Sequence, residues 1–207
     1  MTIQQTDIVV VGGGMVGGAL ALGLAREGFS VTVLEKSAPA AFDPASQPDV
    51  RISAISAASV SLLRGLDVWD AIQAMRVHAW RRLETWEWQN AHVVFDAAEL
   101  KLPQLGYMVE NNVLQLALWQ ALEAHPQVTL KTGQTLSAMT MDAGRRVVTL
   151  AEGETLSTRL VIGADGAFSQ VRQMAGIGTH GWQYPQSCML ITVQCENDPG
   201  DSTWQQF

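Results

Sequence analysis

The sequence predicts an α/β fold built on a Rossmann-like parallel sheet, and three stretches predict it. Ile8 to Lys36 reads IVVVGGGMVGGALALGLAREGFSVTVLEK, which is an apolar strand, a glycine turn, a helix and a second strand. Val113 to Ala124 is an amphipathic helix stopped by Pro126, with strand character returning at Val128 to Lys131. Arg159 to Ile162 is another short apolar run of the kind buried in a parallel sheet, and it leads into Gly163-Ala164-Asp165-Gly166.

In chain order, Asp7 to Val11 forms the first strand, and Met15 to Glu27 is Ala/Leu-rich at helical spacing, ending at Gly28. Ser30 to Glu35 is the second, β-branched strand. Pro39, Pro44 and Pro48 make Ala38 to Val50 a loop, and Ser53 to Leu66 then reads as a helix with small residues on one face. Trp80 to Asp96 alternates with period two and is expected as an antiparallel hairpin outside the parallel sheet. Trp86 and Trp88 fall on one face of it, where sheet core is the favoured reading over the lining of a lipid-like path. Leu136 to Leu156 turns at Asp142-Ala143-Gly144 and again at Glu152-Gly153, a small β-meander. A helical run then reaches Met174, and from Trp182 a β-rich run through Met189 to Val193 reaches Asp198-Pro199-Gly200.

Composition narrows the class. Of 207 residues, 47% are hydrophobic and 16% charged, which is the balance of a folded globular chain. A formal net charge of −7, with only Arg81-Arg82 and Arg145-Arg146 as basic pairs, offers no surface for nucleic acid. The apolar N-terminal run lacks a basic flank and is interrupted by five glycines, so it is not read as a signal peptide. No stretch has the roughly 18 apolar residues of a transmembrane helix. Cys188 and Cys195 stand an odd number of residues apart on the expected strand, facing opposite ways, so no disulfide is expected and the location is cytoplasmic.

Gly12, Gly14 and Gly17 are spaced as G-x-G-x-x-G at the strand-to-helix junction, with Met15 and Val16 in the same turn. That spacing allows a tight turn, close approach of backbone to a pyrophosphate, and close packing of helix on strand. Helix N-terminal amides would meet the phosphates. Glu35, followed by Lys36, ends the second strand eighteen residues beyond Gly17, where a carboxylate accepts from ribose hydroxyls and repels a ribose phosphate. The site is therefore read as one for NAD or FAD, not NADP. His78, His92, His125 and His180 have no metal-ligand spacing, and no metal is expected. Ser169 lacks a nucleophile-elbow context and reads as a helix cap. Arg172 is either a surface ion-pair residue or a cofactor-side one.

Asp165-Gly166, with Ser169 and Arg172 after it, resembles the D-G motif of the group A flavoprotein aromatic hydroxylases, and Arg51 in DVRIS resembles their arginine after the second strand. The stretches QPDVRISAISAASVSLL, RRLETWEW, GYMVEN and QSCMLITVQCENDPGDSTWQQF are similar to the ubiquinone-biosynthesis hydroxylases within that family. The resemblance implies FAD, in a Rossmann-like domain of the p-hydroxybenzoate-hydroxylase-like class, with a second β-sheet substrate domain that is only partly present. It divides the chain into 1–76 and 109–178 for the FAD-binding domain, 77–108 as a hairpin of the substrate domain, and 179–207 as the start of that domain's sheet. It places Gly12, Gly14 and Gly17 at the pyrophosphate, Glu35 at the adenosine ribose, Arg51, Asp165 and Gly166 along the FAD chain, and Asn111 where relatives have a glutamine touching the cofactor. It further implies oxygen transfer from a flavin hydroperoxide to a polyprenyl quinol ring, with molecular oxygen as co-substrate and NAD(P)H or another reductant. No acid–base residue is nominated, because the cofactor carries that chemistry.

Family members run to nearly twice this length and carry a later G-D motif, so this chain is expected to bind FAD weakly or not at all and to be inactive alone. A greasy substrate implies contact with the periphery of the inner membrane or a biosynthetic assembly, although no basic amphipathic helix supports one. The readings of another class are a nicotinamide dehydrogenase or flavin oxidase on the same unit, against whose first member Asp165-Gly166 and the hairpin argue, and a non-catalytic scaffold.

Overall fold

The computed structural model describes residues 3–88, 91–198 and 200–207. In chain order the elements are β1 (Gln4–Gln5), β2 (Ile8–Val11), α1 (Met15–Arg26), β3 (Val31–Glu35), β4 (Ile52–Ser56), α2 (Ala57–Gly65) and α3 (Trp69–Met75). Then come β5 (Val77–Trp80), β6 (Arg82–Glu87), β7 (Ala91–Asp96), β8 (Gly106–Glu110), α4 (Asn111–Glu123) and β9 (Val128–Thr132). The last are β10 (Leu136–Asp142), β11 (Arg145–Leu150), β12 (Thr155–Thr158), β13 (Leu160–Gly163), α5 (Gln170–Met174) and β14 (Ser202–Gln206). They form two compact units, residues 1–41 with 115–186 and residues 42–114 with 187–207.

The first unit holds a parallel sheet in the order β13-β2-β3-β9 and the meander sheet β1-β12-β11-β10. All four residues of β2 are buried, as are the first four of β3, so these strands read as continuous apolar runs without alternation. Val9, Val11 and Leu34 pack with Leu136, Val148, Leu150 and Leu156 of the meander and Val171 of α5 in one core. Each such side chain contributes about 1.5–3 kcal/mol by leaving water. α1 approaches α4 closely at Gly18, where an added Cβ would stand 3.4 Å from Leu118 Cβ. Gly28 has φ +88°, the left-handed conformation that ends the helix after Glu27.

In the second unit β4 and β5 flank β8 in an antiparallel sheet, while β14 and β7 flank β6, with β14 parallel to β6. Trp69 and Ile72 of α3 are buried, and Trp69 meets Tyr107 edge-on with ring centroids 4.9 Å apart. Glu110 accepts from Arg76 at 3.0 Å and from the Asp49 amide at 2.8 Å, which ties α3's end and the preceding loop to β8.

Three sequence expectations are corrected here. The helix expected from Ser53 begins only at Ala57, because Ile52–Ser56 pairs with β8 and Ser56 caps the helix by accepting from the Ser59 amide. Trp88 is not on a strand face: it lies in the turn after β6 with φ +54° and is 85% exposed, so the pair does not form sheet core. The β-rich run at Met189 to Val193 is not a strand. Residues 173–198 are exposed throughout, and no strand among the described residues pairs with 182–198, so nothing satisfies a ladder there. Cys188 and Cys195 are exposed free thiols on that segment, and the strand geometry used to set them apart is absent. Pro199, in the expected turn, and the hairpin tip at Gln89 and Asn90 lie outside the described residues.

Candidate functional site

β2 and β13 run side by side in parallel, and both deliver their C-terminal ends to one cavity of about 300 Å³. It is lined by Val11 at the end of β2 with Gly12 and Gly14 after it, Leu34, Glu35 and Lys36 at the end of β3, and Ala164, Asp165 and Gly166 after β13. The carboxyl ends of parallel strands are where open α/β sheets take ligands.

Each glycine of the turn has its own reason. Gly12 has φ +103°, and a Cβ there would overlap the Ala164 carbonyl. A Cβ on Gly17 would overlap the Gly12 carbonyl oxygen and come within 3.0 Å of Ala164 Cβ, so α1 can sit on the turn only without a side chain. At Gly14 an added Cβ meets nothing within 4 Å: this edge of the turn is open. Gly14 is also the N-cap of α1 and supplies no side-chain cap, leaving the first amides of the helix without side-chain acceptors. Amide donors at a helix N-terminus, with room in front of them, fit the pyrophosphate of a dinucleotide.

Glu35 accepts from the Gly13 amide through Oε2 at 2.6 Å, and through Oε1 from the Lys36 amide at 2.8 Å and the Ser37 amide at 3.3 Å. These bonds occupy three of the roughly four acceptor sites of a carboxylate. One ribose hydroxyl can therefore be accepted directly, and a second once the long Ser37 bond gives way.

Asp165 faces α5. Its Oδ1 accepts from the Ser169 hydroxyl, and its Oδ2 accepts from the Gln170 amide at 2.6 Å and the Val171 amide at 3.2 Å. Partial burial pushes its pKa up, but the Ser169 and backbone hydrogen bonds outweigh this and hold it below the ordinary carboxylate value. Gly166, with φ +81°, makes the turn into α5. Ser169 accepts from the Arg172 amide at 3.0 Å as the helix cap the sequence led us to expect.

The structure thus brings Gly12, Gly14, Glu35, Lys36, Asp165 and Gly166 to one cavity. Met15, Val16 and Gly17 follow in α1 outside its lining, with Val16 72% exposed. Arg51 and Asn111 belong to the second unit, where the Arg51 carbonyl accepts from the Asn111 amide at 2.9 Å and Asn111 Oδ1 accepts from Ser53 at 2.6 Å. Arg172 donates to the Ala167 carbonyl at 2.9 Å and lines a different cavity, with Arg146 and Arg159. Among the described residues no group of His, Cys, Asp and Glu could hold a metal.

Sequence reasoning missed Gln134 and Thr135 in the turn after β9 and Leu136 at the start of β10, which line the same cavity. Only the sheet order, which sets β9 beside β3, reveals them. It also missed Gly13, which the fingerprint leaves unspecified. A Cβ there would stand 2.9 Å from Trp119 Cζ3.

A family model described as "FAD binding domain" matches residues 5–204. The chain is 72% identical over its whole length to the 3-demethoxyubiquinol 3-hydroxylase of Escherichia coli (strain K12), covering 53% of that protein. It is 38% identical over 195 residues to the ubiquinone hydroxylase UbiL of Rhodospirillum rubrum, covering 93% of this chain and 44% of that one. Among solved structures, PqsL of Pseudomonas aeruginosa, described as a probable FAD-dependent monooxygenase, aligns with a TM-score of 0.70 at 20% identity over 88% of this chain and 48% of its own. The chain spans about half the length of the curated relatives it matches.

Proposed function

The chain belongs to the FAD-binding domain family, and from that premise we propose that it is the FAD-binding portion of a monooxygenase that hydroxylates a polyprenyl benzoquinol ring in ubiquinone biosynthesis. The observation that carries this reading is the single cavity in which an uncapped helix N-terminus, the Glu35 carboxylate and the Asp165-Gly166 turn meet from three separate stretches of chain. The activities for which the E. coli and R. rubrum relatives are named supply the substrate class.

In this reading the amides of Gly14, Met15 and Val16 hold the pyrophosphate, with Gly12 and Gly17 giving the turn its shape. Glu35, with Lys36 beside it, takes the adenosine ribose. Asp165 and Gly166 lie along the FAD chain, and the roles of Arg51 and Asn111 toward FAD rest on the family resemblance. Residues 1–76 and 109–178 are the FAD-binding parts, and 77–108 and 179–207 belong to the substrate sheet. When bound and reduced by NAD(P)H or another donor, FAD would activate molecular oxygen, one atom of which would enter the electron-rich ring while the other leaves as water. The residues of this chain bind and orient, and those around the flavin keep water away. Among the described residues no helix is long and apolar enough to cross a membrane. A place at the inner-membrane periphery, in contact with a biosynthetic assembly, is part of the proposal and follows from the greasy substrate.

Quinone analysis of a strain lacking the full-length gene tests the reading. Accumulation of a polyprenyl quinone missing one ring hydroxyl, reversed by the intact gene, is the expected result. An unchanged quinone profile ends it.

A further inference from the structure

Two consecutive peptide groups in the glycine turn are pinned from outside the turn. The Gly13 N–H donates to Glu35 Oε2 at 2.6 Å, and the Gly13 carbonyl accepts from Gln115 Nε2 at 3.2 Å. In a trans peptide the C=O and N–H of one unit point in opposite directions. Fixing the Gly13 N–H on Glu35 therefore sends the Gly12 carbonyl the other way, against α1 at Gly17, where an added Cβ would overlap it. Fixing the Gly13 carbonyl on Gln115 likewise sends the Gly14 N–H away from α4, and Gly14 is the residue that lines the cavity with open space before it. Trp119, one turn further along α4, closes on the same point, which explains why position 13 is a third glycine.

We propose that Gln115 is a positioning residue for the cofactor's pyrophosphate: by holding the Gly13 carbonyl it turns the Gly14 amide into the cavity and keeps a carbonyl oxygen away from the phosphates. This rests on the FAD reading. A free carbonyl in that turn could rotate toward the cavity and present a negative end to the anion. Gln115 therefore acts through the backbone and does not touch the cofactor.

Calorimetric titrations of the chain and of the variants Gln115→Leu and Gln115→Glu with ADP and with adenosine test it, with melting temperature as a control. The carboxylate introduced by the second variant keeps the size of the side chain but, once ionised, cannot donate. Expected is ADP affinity about tenfold weaker in both variants, as for the loss of one oriented hydrogen bond, with adenosine affinity changed less than about twofold. A role confined to stability would lower the melting temperature and weaken ADP and adenosine alike, and that result overturns the proposal. So does unchanged ADP affinity in both variants while the parent chain binds ADP, which leaves the FAD reading standing. A full-length protein that binds neither ADP nor FAD overturns the FAD reading itself.

Discussion

Neighbouring strands β2 and β13 each end in a glycine-containing turn that opens a helix, yet the two helices start in opposite electrostatic states. α5 is closed at its N-terminus by its own chain: Asp165 takes the Gln170 and Val171 amides, and Ser169 takes the Arg172 amide. α1 begins at Gly14 with no side-chain cap. A helix end carries about half a positive charge and several unsatisfied amides, so one that is not capped internally is available to an external anion. The pair teaches that a strand–turn–helix junction is not a phosphate site by geometry alone. In the proposed function the absence of a capping side chain makes it one: the phosphates are assigned to α1, and Asp165 to the α5 side of the cavity.

The two junctions should respond differently to the same kinds of substitution, and the largest difference concerns their glycines. Gly17→Ala puts a methyl group onto the Gly12 carbonyl, where only backbone movement gives relief. A loss of about 3 kcal/mol is expected, seen as a melting temperature lower by about 10 °C. Gly166→Ala meets nothing within 4 Å and suffers only from φ +81°, so thermal melts should show a loss of about 1 kcal/mol.

Capping α1 should separate stability from binding. Gly14→Asp fits the open space and supplies the missing cap, raising stability by a few tenths of a kcal/mol. The same carboxylate occupies the amides and repels phosphate, so ADP binding should fall at least tenfold. An Asp variant that melts higher and still binds ADP normally would break the comparison. At the other junction, Ser169→Ala removes a cap that is already filled and should cost about 1 kcal/mol in a denaturant titration, with ADP affinity unchanged.

The smallest expected effect is in pH. The pKa of Asp165 is depressed in the folded chain, so its contribution is complete above the ordinary carboxylate value and is lost as pH falls through the lowered one. The stability gap between wild type and Asp165→Asn should hold from pH 7 to pH 5 and close below about pH 4. Because the group is largely solvated, the gap is on the order of 1 kcal/mol or less. A gap that widened toward low pH would mean that the carboxylate is not the form α5 selects.

Much of this site was legible in the sequence because its chemistry is local. Gly12, Gly14 and Gly17 declare a turn by their spacing, Glu35 ends the next strand, and Asp165-Gly166 follows a strand of the same apolar type. The supports of the turn were not legible. Gln115 lies 102 residues from Gly13, and nothing in a helical stretch such as NNVLQLALWQALE says which face meets the glycine turn. Gln134 to Leu136 reach the cavity only through the order of strands in the sheet. The β-rich composition misled at Met189 to Val193, since an apolar, β-branched run makes a strand only where a neighbour completes its hydrogen bonds.

The central claim is that phosphate belongs to the uncapped α1 junction. Titration of the isotopically labelled chain with ADP, followed at individual amide resonances, tests it most directly. Saturable shifts at Gly14, Met15 and Val16, with Gln170, Val171 and Arg172 unmoved, are the predicted result. Shifts confined to the amides of α5 would contradict it.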